Sequence, residues 1–233
     1  MVLEPIDRDI WMVDGSIVSF YGLPYPTRAV IVRLPDGGLW VWSPVALTDP
    51  LRAALQDRGP VTHLVSPNAL HHLWLADWTA AWPQATLWGP QSLIRKRPDL
   101  TFAPALEDAP PPAWADIIDQ VWLRASPLLD EIVFFHRPSR TALITDYSQA
   151  FTESFLEAHW KPWQRWLIRL ARMTEGHGRA PLELRLTTLN RRRARDSIRR
   201  VLDWNPERVV RAHGTCPMRD GRADLERAFA WVL

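Results

Sequence analysis

The chain has 233 residues, 47% of them hydrophobic and 23% charged, with a formal net charge of +2. This length and composition support a buried core and exclude a disordered chain or a small fold that needs disulfide or metal staples. The single cysteine, Cys216, excludes an intrachain disulfide and fits a reducing compartment.

In chain order, the first elements are strands. "IWMVDGSIVSFYG" alternates imperfectly and breaks at Asp14-Gly15, and "RAVIVRL" and "LWVWSPV" flank "PDGG", a hairpin turn signal. "DPLRAALQDRG" predicts a helix with Asp49 as N-cap, Pro50 in the first turn and Gly59 at the stop. "VTHLVS" predicts a short buried strand, followed by His71 and His72 and then a helix over "LWLADWTAAW". Further on, "ATLWG", "IDQVWLRAS", "EIVFFHR" and "TALITDY" predict strands, with helical "PQSLIRKRP" among them. Strands interrupted by helices in this way predict an α/β fold.

Residues 151–173 read as one helix rich in Trp and Arg, and a second helix is expected from about Leu186 to Leu202. "PERVVRAHGTCP" predicts a short strand ending at His213, and "DGRADLERAFAWVL" a closing helix with Asp220 as its cap. The N-terminal segment "MVLEPIDRDIW" has no apolar h-region, so no signal peptide is expected. No apolar run is long enough to span a bilayer, and a cytoplasmic location is the expectation. Lys96 and Lys161 are the only lysines, and acids are interspersed among the arginines. No nucleic-acid partner is therefore expected, and "NRRRAR" reads as a solvated helix face.

The adjacent His71 and His72 raise the question of metal ligation, and Asp146 and His213 stand at or just beyond the ends of later predicted strands. Each also has an ordinary reading. The two adjacent histidines could open a helix in solvent, Asp146 could cap the next helix, and His213 could be a core residue bonded to backbone. His63 and His136 read as structural, His159 and His177 as surface residues, and Cys216 as a small buried side chain.

The layout resembles the first half of the metallo-β-lactamase superfamily: hairpin, helix, short apolar strand, then a His-rich loop opening a helix. "RTALITDYS" is similar to that family's strand ending in a metal-bridging aspartate, here Asp146, and "VVRAHGTCP" to the late strand carrying the last histidine, here His213. The resemblance implies a four-layer αββα sandwich, as one domain over residues 1–233 with a helical insert at about 151–202. Aligning the family's H-x-H-x-D-H loop on His72 puts His71 at the aspartate position and Pro67 and Ala69 at the first two histidines. The first of the family's two metal sites is thereby lost at every matching position, and the second keeps His71, His72, Asp146 and His213.

The resemblance then implies one divalent metal, zinc or iron with manganese as a further candidate, in a three-His, one-Asp shell. Asp146 is the candidate catalytic residue, holding the metal and orienting water for attack on an ester, amide, thioester or phosphoester. A non-catalytic binding protein on the same fold and an iron or manganese redox protein are the alternatives. The expected partner is a small-molecule substrate, an anionic one suiting the arginines of the insert. That insert is expected to form a lid or partner surface over the metal edge. Its Trp/Arg-rich helix is a candidate homodimer face, with an interfacial membrane helix as a further reading.

Overall fold

The computed structural model describes residues 2–233. Its first sheet is built from β1 (Glu4–Asp7), β2 (Ile10–Asp14), β5 (Arg28–Arg33), β6 (Leu39–Trp42), β7 (Val61–Val65) and β8 (Thr86–Trp88), in that spatial order. A separate hairpin, β3 (Val18–Phe20) and β4 (Leu23–Tyr25), leaves the sheet between β2 and β5. β6, β7 and β8 run parallel. They are joined through α1 (Asp49–Gln56) and α2 (Leu75–Ala81), and α3 (Gln91–Lys96) follows β8.

The second sheet has the order β12-β11-β10-β9, from β9 (Ile118–Leu123), β10 (Glu131–His136), β11 (Thr141–Ile144) and β12 (Arg208–Arg211). β11 and β12 are parallel. Between them lie four helices: α4 (Glu153–His159), α5 (Pro162–Ala171), α6 (Leu182–Leu186) and α7 (Arg191–Asp203). The chain closes with α8 (Gly221–Phe229).

Alternation of side chains across each strand generates the layers. Val30, Val32, Trp40 and Trp42 of the first sheet face Ile132, Phe134, Leu143 and Val210 of the second, forming one shared core. The opposite face of the first sheet, with Ile31, Leu39 and Val41, packs on Leu51, Leu55 and Trp78 of α1 and α2. The outer face of the second sheet, with Val133, Phe135 and Val209, packs on Ile198 and Val201 of α7 and on Leu225 and Phe229 of α8. The order is therefore αββα. Strands with both faces covered carry near-continuous apolar runs, as in "AVIV" and "LWVW".

Several local expectations need correction. The helix read over 151–173 is two helices, because Trp160 is extended and Pro162 restarts the turn as the first residue of α5. The helix read from Leu186 to Leu202 is likewise two. Asn190, which accepts from the Arg193 N–H at 3.0 Å, caps the second. α7 is an outer-layer helix against β9, so it does not belong to a cover over the metal edge. Thr48 caps α1 and Asp49 lies in its first turn; Asp220 has φ +55° and makes no side-chain cap bond.

His136 ends β10 fully buried, its Nδ1 2.7 Å from Ser139 Oγ. Burial lowers its pKa from 6.5 to about 4, against a smaller opposing effect of Asp7 and Asp9. A depressed histidine stabilises the fold above pH 6.5 and loses that contribution as pH falls through 4. We expect the wild type to lose up to about 3 kcal/mol from this group between those limits. Urea unfolding at a series of pH values checks this: His136→Gln should show a shallower loss, and an identical slope would assign the acid sensitivity elsewhere.

Candidate metal centre

Four strands deliver side chains to one edge of the sandwich from their C-terminal ends, where open parallel sheets place ligands. Ser43 follows β6, residues 66–72 follow β7, Asp146 follows β11 and His213 follows β12. Three candidate ligands meet there. His71 Nε2 lies 3.3 Å from Asp146 Oδ2, and His213 Nε2 lies 3.5 Å from Asp146 Oδ1. The two imidazoles stand with ring centroids 5.3 Å apart. Among the described residues this is the one group of three or more His, Cys, Asp or Glu side chains whose ligand atoms all lie within 4.8 Å of one another.

Each imidazole is aimed by its other nitrogen. His71 Nδ1 is 2.7 Å from Ser43 Oγ, and His213 Nδ1 is 2.7 Å from the carbonyl oxygen of Pro26. A carbonyl only accepts, so His213 Nδ1 carries the proton. In the neutral ring Nε2 then presents a lone pair to the Asp146 carboxylate. Two lone pairs facing each other require a second proton on the ring or a cation between them. Histidine ligands are held in this way, the remote N–H on a carbonyl and the other nitrogen free. The separations also fit: 3.3 and 3.5 Å exceed charge-assisted N–H···O bonds of about 2.7–2.9 Å. The two contacts reach different oxygens of the carboxylate, and one ligand atom from each of the three residues lies within 4.8 Å of the others.

Asp146 is buried, which by itself would favour the neutral acid. The two imidazoles that face it outweigh that, and hold its carboxyl well below the usual carboxylate range. Asn68 Nδ2 donates to Asp146 Oδ2 at 2.7 Å, and Gln149 Nε2 donates to Oδ1 at 3.2 Å. Burial keeps His71 below its ordinary pKa despite the neighbouring carboxylate, so its ring is neutral near pH 7. The Tyr25 phenol, whose ring meets that of His213 edge-on at 5.2 Å, is pushed up by burial and by Asp146 and stays protonated.

His72, the fourth expected ligand, lies outside this group of three while lining the same cavity. Adjacent residues in the turn that opens α2 point differently. The His72 carbonyl accepts from Arg97 at 2.9 Å, while its buried Nδ1 has no hydrogen-bond partner. Partial burial, then Lys96 and Arg97, lower its pKa. Cys216 is also outside the cluster: Arg28 donates to its sulfur at 2.8 Å, and burial raises its pKa. His63 stacks edge-on with Trp114 and accepts from Trp88 at 3.1 Å, a structural place in the core.

The ligand edge opens into a cavity of about 470 Å³. Its walls include Phe20 and Tyr25 of the β3–β4 hairpin, Leu70, Leu128 and Leu184, with His72 and Lys96 among the polar lining. Only α6 of the central helices reaches it, through Glu183 and Leu184 after Pro181.

Residues 7–158 match a family model described as a domain of unknown function, DUF4336. The chain belongs to that family. No curated protein matches its sequence. Its fold is that of the metallo-β-lactamases. A metallo-β-lactamase from Pontibacter korlensis superposes with TM-score 0.64 at 10% identity, covering 99% of this chain and 98% of that one. The metallo-β-lactamase FIM-1 from Pseudomonas aeruginosa, in its mono-zinc form, gives 0.62 at 13% identity, covering 99% and 94%. The metal-soaked Flv1 flavodiiron core from Synechocystis gives 0.65 at 12% identity, covering 99% of this chain and 60% of that one.

Three residues that hold the site carry no ligand signature in sequence: Ser43, Asn68 and Gln149. The available signal was a shared pattern, a strand end followed by Ser-Pro, at Ser43-Pro44 and again at Ser66-Pro67. Ser43 adopts φ +51°, a left-handed conformation rare outside glycine. Ser66 Oγ lies 2.8 Å from the His71 carbonyl, to which it donates. Asn68 is fully buried; its side-chain oxygen accepts from the backbone N–H of Leu70 and His71. Asn68→Ala removes these bonds and leaves buried partners unsatisfied, with an expected destabilisation of about 2–3 kcal/mol. Urea denaturation measures it; a change below about 0.5 kcal/mol would show that the loop holds itself without this side chain.

Proposed function

We propose that this chain is a mononuclear metal-dependent hydrolase acting on a small molecule through an ester, amide, thioester or phosphoester bond. One divalent metal, zinc first, would be held by His71 Nε2, Asp146 and His213 Nε2. The observation that carries this is the His213 ring, whose proton is fixed on Nδ1 by the Pro26 carbonyl while Nε2 faces a carboxylate. Two histidines and one carboxylate with open positions form a recurrent catalytic donor set.

A bound divalent ion supplies Lewis acidity, which polarises a substrate oxygen and activates water for attack. The protein's part is orientation. Asp146 stays charged and is fixed by Asn68 and Gln149, so its lone pairs keep their direction. Ser43 and Pro26 hold the two rings. The apolar walls of the cavity exclude bulk water and accept an apolar part of the substrate, and Lys96 at the lining suits a substrate carboxylate or phosphate. Asp146 would hold the metal and orient the attacking water.

A second reading has a specific basis. The same two-His, one-carboxylate set with open positions is the donor pattern of non-haem iron oxygenases, so an iron protein with redox chemistry is the rival. Elemental analysis of protein purified without added metal separates the two, with about one zinc per chain expected. His71→Ala and His213→Ala should each lower metal content at least about tenfold, whereas His72→Ala should leave it near the wild-type level. Stoichiometric iron would favour the redox reading. Equal metal in all four proteins, or none in any, would remove the site and leave a binding protein on this fold.

A further inference from the structure

α5 presents three distinct faces. Ile168 and Ala171 point inward and pack with Tyr25, Phe151, Leu156 and Met173. Arg165, Arg169 and Arg172 follow at i, i+4 and i+7 as a second stripe. Trp163, Trp166, Leu167 and Leu170, at i, i+3, i+4 and i+7, form the third, and they are 61%, 61%, 45% and 65% exposed. Four large apolar side chains on one helical face in solvent exceed the scattered exposure of an ordinary surface. The helix is not loosely attached. Trp160 Nε1 donates to the Pro24 carbonyl at 2.9 Å, and Arg165 Nε donates to the Trp160 carbonyl at 3.0 Å. Arg185 of α6 donates to the Ala171 carbonyl at the end of α5 at 2.8 Å, and α6 itself exposes Leu182 and Leu186.

Charge is divided unevenly along the chain. Residues 161–172, α5 and its two ends, hold Lys161, Arg165, Arg169 and Arg172 and no acid, a net charge of +4, with Arg169 paired to Glu153 of α4 at 2.6 Å. The whole chain carries +2, so the remaining residues carry −2. A cationic segment with a Trp/Leu face on a rigidly mounted helix combines the two features of interfacial helices. Tryptophan favours the headgroup level, where its ring is buried and its N–H stays wet.

We propose that α5 docks this protein on an anionic lipid bilayer, with Trp163, Trp166, Leu167 and Leu170 entering the interface and the surrounding arginines meeting lipid headgroups. Charge selects this occupant. A symmetric dimer through the face would bring two +4 segments together. A nucleic acid would satisfy the arginines but leave the apolar stripe without a complement. The arrangement replaces the expected lid: α5 lines no part of the cavity, and its apolar face is turned to solvent. No helix among the described residues is long and apolar enough to cross a membrane, so docking is peripheral.

The test is co-sedimentation of the full chain with vesicles of phosphatidylcholine alone and of phosphatidylcholine mixed with phosphatidylglycerol. Binding to the mixed vesicles should be at least about tenfold stronger and should weaken with salt. Trp163→Ser/Trp166→Ser, with an unchanged circular dichroism spectrum, should lose at least about tenfold of it. Should that variant misfold, Leu170→Glu reads the same face. Metal content is measured in parallel, and His213→Ala should keep vesicle binding, since docking does not depend on the metal centre. No binding to either vesicle would overturn the proposal, as would full binding by a folded variant of this face. A dimer broken by these substitutions, or salt-sensitive DNA binding, would overturn it if found without vesicle binding.

Discussion

The site edge depends on one buried charge. The Asp146 carboxylate accepts from Asn68 on the loop after β7 and from Gln149 on its own loop, and faces His71 and His213 from two further directions. A buried carboxylate without such partners would be neutral or would destabilise the fold by several kcal/mol. Its presence therefore constrains where three loops can lie. A second carboxylate is buried just behind it. Glu131, at the start of β10, accepts the backbone N–H groups of Thr145, Asp146 and Tyr147 at 2.6, 2.9 and 3.2 Å. Burial and the charge of Asp146 push Glu131 up to about 7, while Asp146 is driven down. The pair thus divides its roles. Glu131 shapes the turn that carries Asp146, and Asp146 holds the charge that faces the cavity.

Delivery of His213 to that carboxylate rests on close backbone contact. Gly214 has φ +100°, and a Cβ there would fall 2.0 Å from the Ala150 carbonyl oxygen. The glycine is required because the loops after β11 and β12 touch through the Ala150–Gly214 bridge. Arg211 secures the same junction from behind. Its guanidinium is fully buried, paired with Asp224 of α8, and donates to Ser148 Oγ at 2.7 Å and to the Thr215 carbonyl at 3.2 Å. Loss of one member of such a buried pair leaves an uncompensated charge. The outer helix α8 is in this way coupled to the ligand edge.

What was legible in the sequence follows from how local each signal is. The α/β class was readable because buried strands such as "VTHLV" and "TALI" are short apolar runs bounded by turn residues, and the αββα order came with the family resemblance carried by His71, His72, Asp146 and His213. His72 stands outside the group of three, since a sequence motif counts positions and adjacent residues of a turn diverge in direction. The helical segment was misread where a restart depends on backbone: Pro162 is visible in sequence, but the extended Trp160 before it answers to packing on Tyr25 and Phe151. Ser43, Asn68 and Gln149 could not be picked out because their role is to aim other side chains across separations of up to 78 residues. Apart from the Ser-Pro pattern at Ser43 and Ser66, nothing in their immediate neighbourhood distinguishes them from ordinary turn residues.

The loop after β7 sets the position of His71 against Asp146. Pro67 and Ala69 have no donor atoms in their side chains. Asn68, between them, has every bond occupied. Its two amide hydrogens go to Thr145 Oγ1 and Asp146 Oδ2, and its oxygen takes the N–H groups of Leu70 and His71. To ligate an ion, Asn68 would have to abandon two backbone groups that set the turn into His71, each costly to leave unpaired when buried. The amide already supplies partial positive charge at Asp146 Oδ2. The loop therefore acts as scaffold for His71 and offers no His, Cys, Asp or Glu side chain of its own before it. Fixing His71 and Asp146 through one amide makes their spacing insensitive to the rest of the loop, so the site's geometry is set before any ion arrives.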